Sequence, residues 1–319
     1  MSYASLLAQQ SMALDAVRNR AYLEALERVV TPDAVVLDLG AGLGTLGLLA
    51  AKLGARRVYL VEPEDVIGYA DRLARANGLE DRVRILQGRI EDVTIPESVD
   101  VITSVMTGNF LLAEDLLPSL FHARDRYLAP GGVMLPSEAV MEVVPVEHPA
   151  FYARSLGPWE TPHLGLDVAT LREDAANAIY WGREKFRDAT PLADPADLWA
   201  LDLRAATSID CDARADLDVT RAGSLHGWLG SFRMRVGEQW LSTSPRAPAM
   251  HWGAAYLPVR ETLEVEPDTT IGFALRRPPG GDWHWTTRVG EHALEQSTFF
   301  GRALSMASLN PLAEDACPK

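Results

Sequence analysis

The chain has 319 residues, of which 47% are hydrophobic, so it can bury a large core and is longer than one compact domain usually is. Its 44 acidic and 30 basic residues give a formal charge of -14, which argues against nucleic acid and anionic membranes as partners. The two cysteines, Cys211 and Cys317, are too few for a disulfide framework and too far apart for a metal site, which favours a reducing compartment.

The N-terminal segment has the pattern of a helix rather than a targeting signal. Residues 1–20 lack a basic stretch followed by an apolar one, and no long apolar run occurs in the chain. We therefore expect a soluble, cytoplasmic protein. Residues 11–30 place apolar side chains on one broad helical face before Thr31, Pro32 and Asp33 break the pattern.

Short strands alternate with helices over the next hundred residues. Buried parallel strands joined by helical crossovers produce such a pattern, because both faces of the sheet are covered. The predicted strands are 35–39, 58–62, 83–87, 99–105 and 132–135, and the predicted helices between them include 46–53 and 67–77.

The pattern changes at about Met141, after which strand-like runs alternate with turn residues. This change predicts a second, mostly antiparallel domain, interrupted by a helical segment over 168–185. The division is therefore a first domain over 1–146 and a second over 147–319.

A glycine-rich turn follows the first predicted strand, with glycines at Gly40, Gly42 and Gly44. Glycine lets the backbone approach a ligand closely, and a helix N-terminus supplies free N–H groups. Asp38 precedes the turn, and Glu62 ends the next strand, where a carboxylate can accept both hydroxyls of a ribose. NAD binding is the competing interpretation, but its fingerprint spaces the glycines as G-x-G-x-x-G.

Several segments resemble, in order, the protein arginine methyltransferase family of class I S-adenosylmethionine (AdoMet) methyltransferases. The matching segments are Met12-Ala-Leu-Asp-Ala-Val-Arg18, the glycine turn, Gly88-Arg-Ile-Glu-Asp-Val93, Ser242-Thr-Ser-Pro245 and His251-Trp252. The resemblance implies an α/β fold with a Rossmann-like AdoMet domain, then an antiparallel β-barrel-like domain with a helical dimerisation arm at about 151–185. It also implies a homodimer, AdoMet as cofactor with S-adenosylhomocysteine (AdoHcy) as product, and no metal.

The resemblance assigns roles to individual residues outside the glycine turn. Arg18 would pair with the carboxylate of the cofactor's methionine end, and Glu91 would accept a hydrogen bond from the adenine amino group. Asp15 would meet His251 across the domain boundary, with Trp252 lining the acceptor pocket. Spacing alone favours Asp15 and Arg18 as ordinary surface residues of a helix, and the resemblance reverses this preference. From the residues alone, His251-Trp252 also fits a packed core pair.

The segment from Ser104 to Glu114 resembles the family's acceptor loop, S-E-W-M-G-Y-x-L-x-x-E, whose two glutamates hold a guanidinium. Here Val105, Met106 and Asn109 stand where the family has glutamate, tryptophan and tyrosine, whereas Glu114 is kept. Losing one carboxylate of a buried pair around a cation costs about 3–5 kcal/mol, roughly two to four orders of magnitude in affinity.

The sequence thus predicts an AdoMet-dependent methyltransferase whose acceptor is not arginine. The acceptor would be an amino acid, a peptide side chain or a specialised metabolite, with nitrogen favoured as the methylated atom. Glu114 is the candidate partner for the acceptor's proton, supported by Asp15 and His251, while Val105 and Met106 form an apolar wall. Arginine methylation with a substituted acid and a non-catalytic scaffold of the same fold are the alternatives.

Overall fold

The computed structural model of the chain describes residues 5–298, which form one helix-flanked parallel sheet and two antiparallel sheets. The helices are α1 Leu6–Ala13, α2 Ala16–Val29, α3 Thr45–Lys52, α4 Ile67–Ala76, α5 Leu117–Tyr127, α6 Pro149–Leu156 and α7 Arg172–Ala176. The strands of the first half are β1 Val35–Leu39, β2 Arg57–Glu62, β3 Val83–Gln87, β4 Val99–Ser104 and β5 Leu128–Leu135. Those of the second half are β6 Glu138–Glu147, β7 Tyr180–Gly182, β8 Thr190–Pro191, β9 Ala196–Asp202, β10 Cys211–Asp218, β11 Gly223–Val236, β12 Gln239–Ser242, β13 Ala254–Val265, β14 Thr270–Arg277, β15 His284–Val289 and β16 His292–Ser297.

The parallel sheet has the strand order β3-β2-β1-β4-β5. All five residues of β1 are buried because helices cover both faces of the sheet, which explains its uninterrupted apolar character. The order reverses direction at β1 and β4, and ligands of open parallel sheets bind outside the carboxyl ends of the strands at such a point. The predicted Rossmann-like fold class is confirmed.

The single N-terminal helix predicted over 11–30 is wrong, because the structure contains two helices that meet at Asp15. Its carboxylate accepts a hydrogen bond from the Arg18 amide at 3.0 Å and so caps α2. An aspartate at this position satisfies an amide that the first turn of a helix leaves unpaired. The cap therefore ends one helix and begins the next.

The second half folds around two antiparallel sheets, β10-β14-β15-β16 and β7-β13-β11-β6-β8, with β9 and β12 pairing beside β6 and β11. Buried aromatic side chains fill the space between them. The Trp228 ring lies 4.6 Å from that of Phe273, and its Nε1 donates to Thr287 Oγ1 at 2.9 Å. The predicted antiparallel second domain is confirmed. The division at residue 146 stays a prediction, although β6 already pairs with β11.

The helical segment predicted over 168–185 is also wrong. A short 3₁₀ turn leads into α7, which ends at Ala176, and β7 then pairs with β13 through Trp181 and Ala255. Backbone pairing with a long strand of the second sheet outweighs the local helical pattern. The predicted arm region therefore combines α6, 3₁₀ turns, α7 and β7 rather than one long helix.

None of the helices within residues 5–298 has the length and apolar character needed to cross a membrane. Of the two cysteines, Cys211 is buried with a free thiol, and Cys317 lies outside the described residues.

Candidate active site

A cavity of about 370 Å³ lies at the carboxyl ends of β1, β2 and β4, beneath α1 and beside the loop that precedes β13. This volume falls within the range of small-molecule sites. Eleven of the sequence-predicted site residues line this cavity: Arg18, Asp38, Gly40, Gly42, Glu62, Val105, Met106, Asn109, Glu114, His251 and Trp252. Asp15 lies behind the wall, hydrogen-bonded to His251, and Gly44 belongs to the glycine turn but is not among the lining residues.

The glycine turn forms one wall of the cavity. Gly40, Gly42 and Gly44 all have positive φ angles, of 68°, 53° and 76°, which glycine adopts without the steric cost that other residues carry. The Glu62 carboxylate holds the turn by accepting hydrogen bonds from the Gly42 amide at 2.9 Å and the Glu64 amide at 3.0 Å. The sequence therefore builds a turn whose backbone is exposed to a ligand.

Asp38 lies beneath this turn and is buried. It accepts a hydrogen bond from the Gly47 amide at 2.7 Å. Burial raises the pKa of Asp38 to about 7, against the lowering effects of the Gly47 hydrogen bond and of Arg18. A positively charged ligand group beside Asp38 would favour its ionised form.

Arg18 approaches the cavity from α2 and is 3% exposed. Its Nη2 donates to the Met12 carbonyl at 2.5 Å and to Asn19 Oδ1 at 2.7 Å, whereas its buried Nη1 has no partner among the described residues. Burial lowers the pKa of Arg18, but a guanidinium stays charged at neutral pH. An orphaned, buried cationic donor that lines a cavity fits a carboxylate ligand.

Asp15 and His251 meet across the two halves of the chain. Asp15 Oδ2 accepts hydrogen bonds from the His251 amide and from His251 Nδ1, both at 2.9 Å. Burial raises the pKa of Asp15, but the hydrogen bonds from His251 and Arg18 outweigh it and leave the pKa below its usual range. Burial lowers the pKa of His251 despite the opposing bond to Asp15, so the ring is neutral near pH 7 with its proton on Nδ1.

The acceptor loop between β4 and α5 is joined to both halves of the chain. The Trp252 Nε1 donates to the Thr107 carbonyl at 2.8 Å, and the Gly253 amide donates to Asn109 Oδ1 at 2.8 Å. At the loop's start, Tyr22 Oη donates to the Ser104 carbonyl at 2.7 Å. The loop is therefore held by α2 on one side and by the segment before β13 on the other.

Within this loop the chain reverses tightly between Gly108 and Leu111. A Cβ atom on Gly108 would lie 1.6 Å from the Ala113 carbonyl oxygen, so the fold of the loop requires glycine there. Beyond the reversal, Glu114 has a φ of 73° and lines the cavity. Met106 packs against Gly40, which brings an apolar side chain against the glycine turn.

The sequence did not predict where Gln9 and Glu91 lie relative to the cavity. Gln9 of α1 is buried against Gly42 and lines the cavity, so this chain itself supplies a cover over the glycine turn. Glu91 lies outside the residues that line the cavity, and its carboxylate accepts a hydrogen bond from Ser119 Oγ at 2.6 Å. Its predicted contact with adenine stays a prediction.

Known proteins resemble the chain over most of its length. A methyltransferase domain model matches residues 36–132, and an arginine methyltransferase oligomerization subdomain model matches 137–288. Protein arginine N-methyltransferase 6 of Xenopus laevis is 33% identical over 282 residues, which cover 84% of this chain and 83% of that one. Protein arginine N-methyltransferase 1 of Chlamydomonas reinhardtii is 30% identical over 297 residues, 87% of this chain and 82% of the relative.

The chain belongs to the protein arginine N-methyltransferase family. A solved structure agrees with this assignment, namely the Trypanosoma brucei PRMT1 enzyme-prozyme heterotetrameric complex with AdoHcy. It superposes with a TM-score of 0.84 at 25% identity, covering 93% of this chain and all of that one. The predicted family, enzyme class and cofactor are confirmed: the protein is an AdoMet-dependent methyltransferase.

The residues of this methyltransferase fit AdoMet. The orphaned Nη1 of Arg18 suits the carboxylate of its methionine end, and Asp38 suits a nearby ammonium group. The glycine turn and Glu62 stand at the carboxyl ends of β1 and β2, where a nucleoside is expected in an open parallel sheet.

Proposed function

We propose that this enzyme methylates a nitrogen acceptor other than arginine, with Glu114 as the partner for the acceptor's proton. The single observation that carries the proposal is the distribution of carboxylates around the cavity. Asp38 lies in β1, Glu62 ends β2 and Glu64 follows it, all on the cofactor side, whereas Glu114 is the carboxylate that the acceptor loop contributes to the described wall. One carboxylate suits an amine or imidazole better than a guanidinium, which two carboxylates can grip with parallel hydrogen bonds.

The chain's own side chains then have distinct tasks. Bound AdoMet supplies a methyl group activated by its sulfonium, so the protein needs mainly alignment and a proton acceptor. Arg18 and Glu62 bind the cofactor, and Glu114 faces the acceptor. Asp15 fixes the His251 ring beside the acceptor loop, since the two share a hydrogen bond of 2.9 Å.

The apolar part of the acceptor pocket comes from Val105 and Met106, which stand where the family has a glutamate and a tryptophan. Val105 and Met106 line the cavity together with Trp252, and Met106 rests on Gly40. The Asn109 side chain accepts from the Gly253 amide, and this bond shapes the loop rather than leaving its amide oxygen to the acceptor. A less polar acceptor group fits this wall better than a fully hydrogen-bonded guanidinium.

Arginine is the second candidate acceptor, and the relatives favour it. Both curated relatives described above are named protein arginine N-methyltransferases. Family membership also favours an acceptor side chain carried by a protein over a free metabolite. An arginine held by Glu114 with a weaker second partner would be methylated slowly, because one charge-assisted pair of hydrogen bonds is lost.

Transfer of label from methyl-labelled AdoMet to a peptide panel separates these candidates. The panel contains arginine-rich, lysine-rich and histidine-containing peptides of equal length and charge, and free amino acids. We expect transfer to lysine or histidine nitrogen, or to a free amino acid, in excess of transfer to arginine. Transfer confined to the arginine peptides would overturn the proposal.

A non-catalytic scaffold is the remaining alternative, and cofactor affinity tests it. Arg18→Met should weaken AdoMet binding by roughly 10–100-fold, because a charge-assisted hydrogen bond to the carboxylate is worth about 1.5–3 kcal/mol. Calorimetric titration of the wild type and the variant measures this loss. Arg20→Met, an exposed arginine on the same helix, is the matched control and should bind AdoMet like the wild type. Equal weak binding by all three proteins would favour the scaffold.

We further propose that the enzyme is a homodimer and is cytoplasmic. Exposed leucines occur at the arm, where Leu164 is 91% and Leu166 68% exposed, and on the N-terminal helices, where Leu7 is 80% and Leu14 73% exposed. Two separate apolar patches on one chain can bury each other in a twofold pair. The match to an oligomerization subdomain over residues 137–288 supports this arrangement.

The double substitution Leu164→Asp with Leu166→Asp should convert the dimer to a monomer. Two charges at the arm's tip would have to be desolvated in the interface, at a cost that a modest interface cannot offset. Sedimentation equilibrium measures the mass. Trp240→Ser, which removes a 42%-exposed aromatic side chain outside both patches, is the control and should stay dimeric. A dimer that persists in the double variant would contradict the proposed interface.

A further inference from the structure

The acceptor loop is anchored at its far end by an ion pair with the second half of the chain. The two oxygens of Asp115 accept hydrogen bonds from the two terminal nitrogens of Arg277, the last residue of β14, and the Arg277 Nη2 to Asp115 Oδ2 distance is 2.7 Å. The Gly280 amide donates to the same Oδ2 at 3.2 Å. Arg277 is 3% exposed, so the guanidinium side of this parallel pair of bonds is buried, whereas the Asp115 side chain is 30% exposed.

The backbone that this ion pair holds is unusual. Glu114 and Asp115 have φ angles of 73° and 51°, and Phe110 and Leu111 in the same loop have 48° and 63°. The left-handed region is sterically unfavourable for residues other than glycine, so a loop with four such residues requires compensating contacts. Asp115 directly follows Glu114, and its hydrogen bonds to Arg277 and Gly280 are positioned to stabilise this backbone.

Aromatic packing extends the anchor from Arg277 to the start of the loop. The Arg277 guanidinium lies 5.4 Å from the centroid of the Trp283 ring, and Trp283 stacks on Phe110 at 5.6 Å with 13° between the ring planes. Phe110 in turn fills the space where a Cβ atom on Gly230 would stand. Contacts from the second half of the chain thus hold residues 110–115 at both ends. Trp283 packs on Phe110, Arg277 binds Asp115, and Trp283 and Arg277 contact each other.

We propose that Asp115 and Arg277 form a clamp that fixes the backbone of Glu114 and thereby sets the position of its carboxylate in the cavity. Both are positioning residues, since they act on the acceptor through Glu114. The inference rests on the proposed role of Glu114 for its effect on transfer, but the mechanical effect on the loop is independent of that role. A shift of about 1 Å in a reacting group reduces rate by roughly 100-fold, so the clamp governs turnover more than binding.

Hydrogen exchange in the AdoHcy complex tests the clamp without an acceptor. Arg277→Met should speed exchange of the amides in 110–116 by at least about tenfold, because two charge-assisted bonds are lost. Arg277→Lys should restore part of the protection through its remaining charge. Arg124→Met is the matched control, since Arg124 is a buried arginine that donates to the Leu203 and Ala206 carbonyls away from the loop. It should leave exchange in 110–116 unchanged.

Kinetics on the best acceptor of the peptide panel gives the second measurement. Arg277→Met should lower kcat by roughly 100-fold while the AdoMet dissociation constant changes by less than about twofold. Unchanged exchange in 110–116, or a uniform rise over the whole second half as in a merely destabilised protein, would overturn the clamp. Faster exchange with unchanged kcat would confirm the mechanical effect, overturn its link to turnover and point to failure of the proposed role of Glu114 instead.

Discussion

Val105→Glu is expected to raise methylation of arginine-rich peptides by about two orders of magnitude or more. Val105 and Glu114 both line the cavity, so the substitution places a second carboxylate on the acceptor side. The second carboxylate of a buried pair around a cation contributes about 3–5 kcal/mol, roughly two to four orders of magnitude. The ratio of kcat/KM for an arginine peptide between variant and wild type measures the gain.

Val105→Gln is the matched control, because a glutamine side chain has the size and polarity of glutamate without its charge. It should give less than about a tenfold gain, since a neutral hydrogen bond contributes about 1 kcal/mol. If both variants leave arginine methylation at the wild-type level while AdoMet still binds, the missing carboxylate is not the barrier. Specificity would then have to be assigned to the wall around Met106.

Glu114→Gln should reduce methyl transfer to the preferred acceptor by roughly 10²–10⁴-fold, the usual contribution of a positioned proton acceptor. Glutamine keeps the shape of the side chain, so AdoMet affinity should stay within about twofold of the wild type. Single-turnover transfer of labelled methyl and calorimetry with AdoMet measure the two quantities on the same protein samples.

Glu266→Gln serves as the control for Glu114→Gln, since Glu266 is an exposed residue in the turn between β13 and β14. It should transfer methyl groups at the wild-type rate. A Glu114→Gln variant that keeps more than about a tenth of wild-type turnover would remove Glu114 from the proposed mechanism and favour His251 as the proton acceptor.

The parallel sheet was predictable because its strands carry continuous apolar runs between helices, and β1 and β3 have the predicted bounds, Val35–Leu39 and Val83–Gln87. Local patterns failed where a distant contact decides the structure. The helical pattern around Tyr180 gives way to pairing with β13, and the N-terminal helix breaks at Asp15, which caps α2 and binds His251.

The candidate site, like the fold, was predictable from the sequence only in part. The glycine turn and Glu62 lie within one short stretch of sequence, so spacing and chemistry were enough to suggest them. The contact between Asp15 and His251 spans 236 residues and was predicted through family resemblance alone. The bond between Asp115 and Arg277 spans 162 residues, and no spacing rule or motif connects them. Only the packing of the second half against the acceptor loop shows it.

The central claim is that one acceptor-side carboxylate, Glu114, serves an acceptor other than arginine. The most direct test incubates the enzyme with methyl-labelled AdoMet and a cell extract, then hydrolyses the labelled protein and separates its amino acids alongside the small-molecule fraction. The account predicts label in a methylated nitrogen of lysine, histidine, a free amino acid or a metabolite. Label recovered as methylarginine, in amounts that Glu114→Gln abolishes, would contradict it.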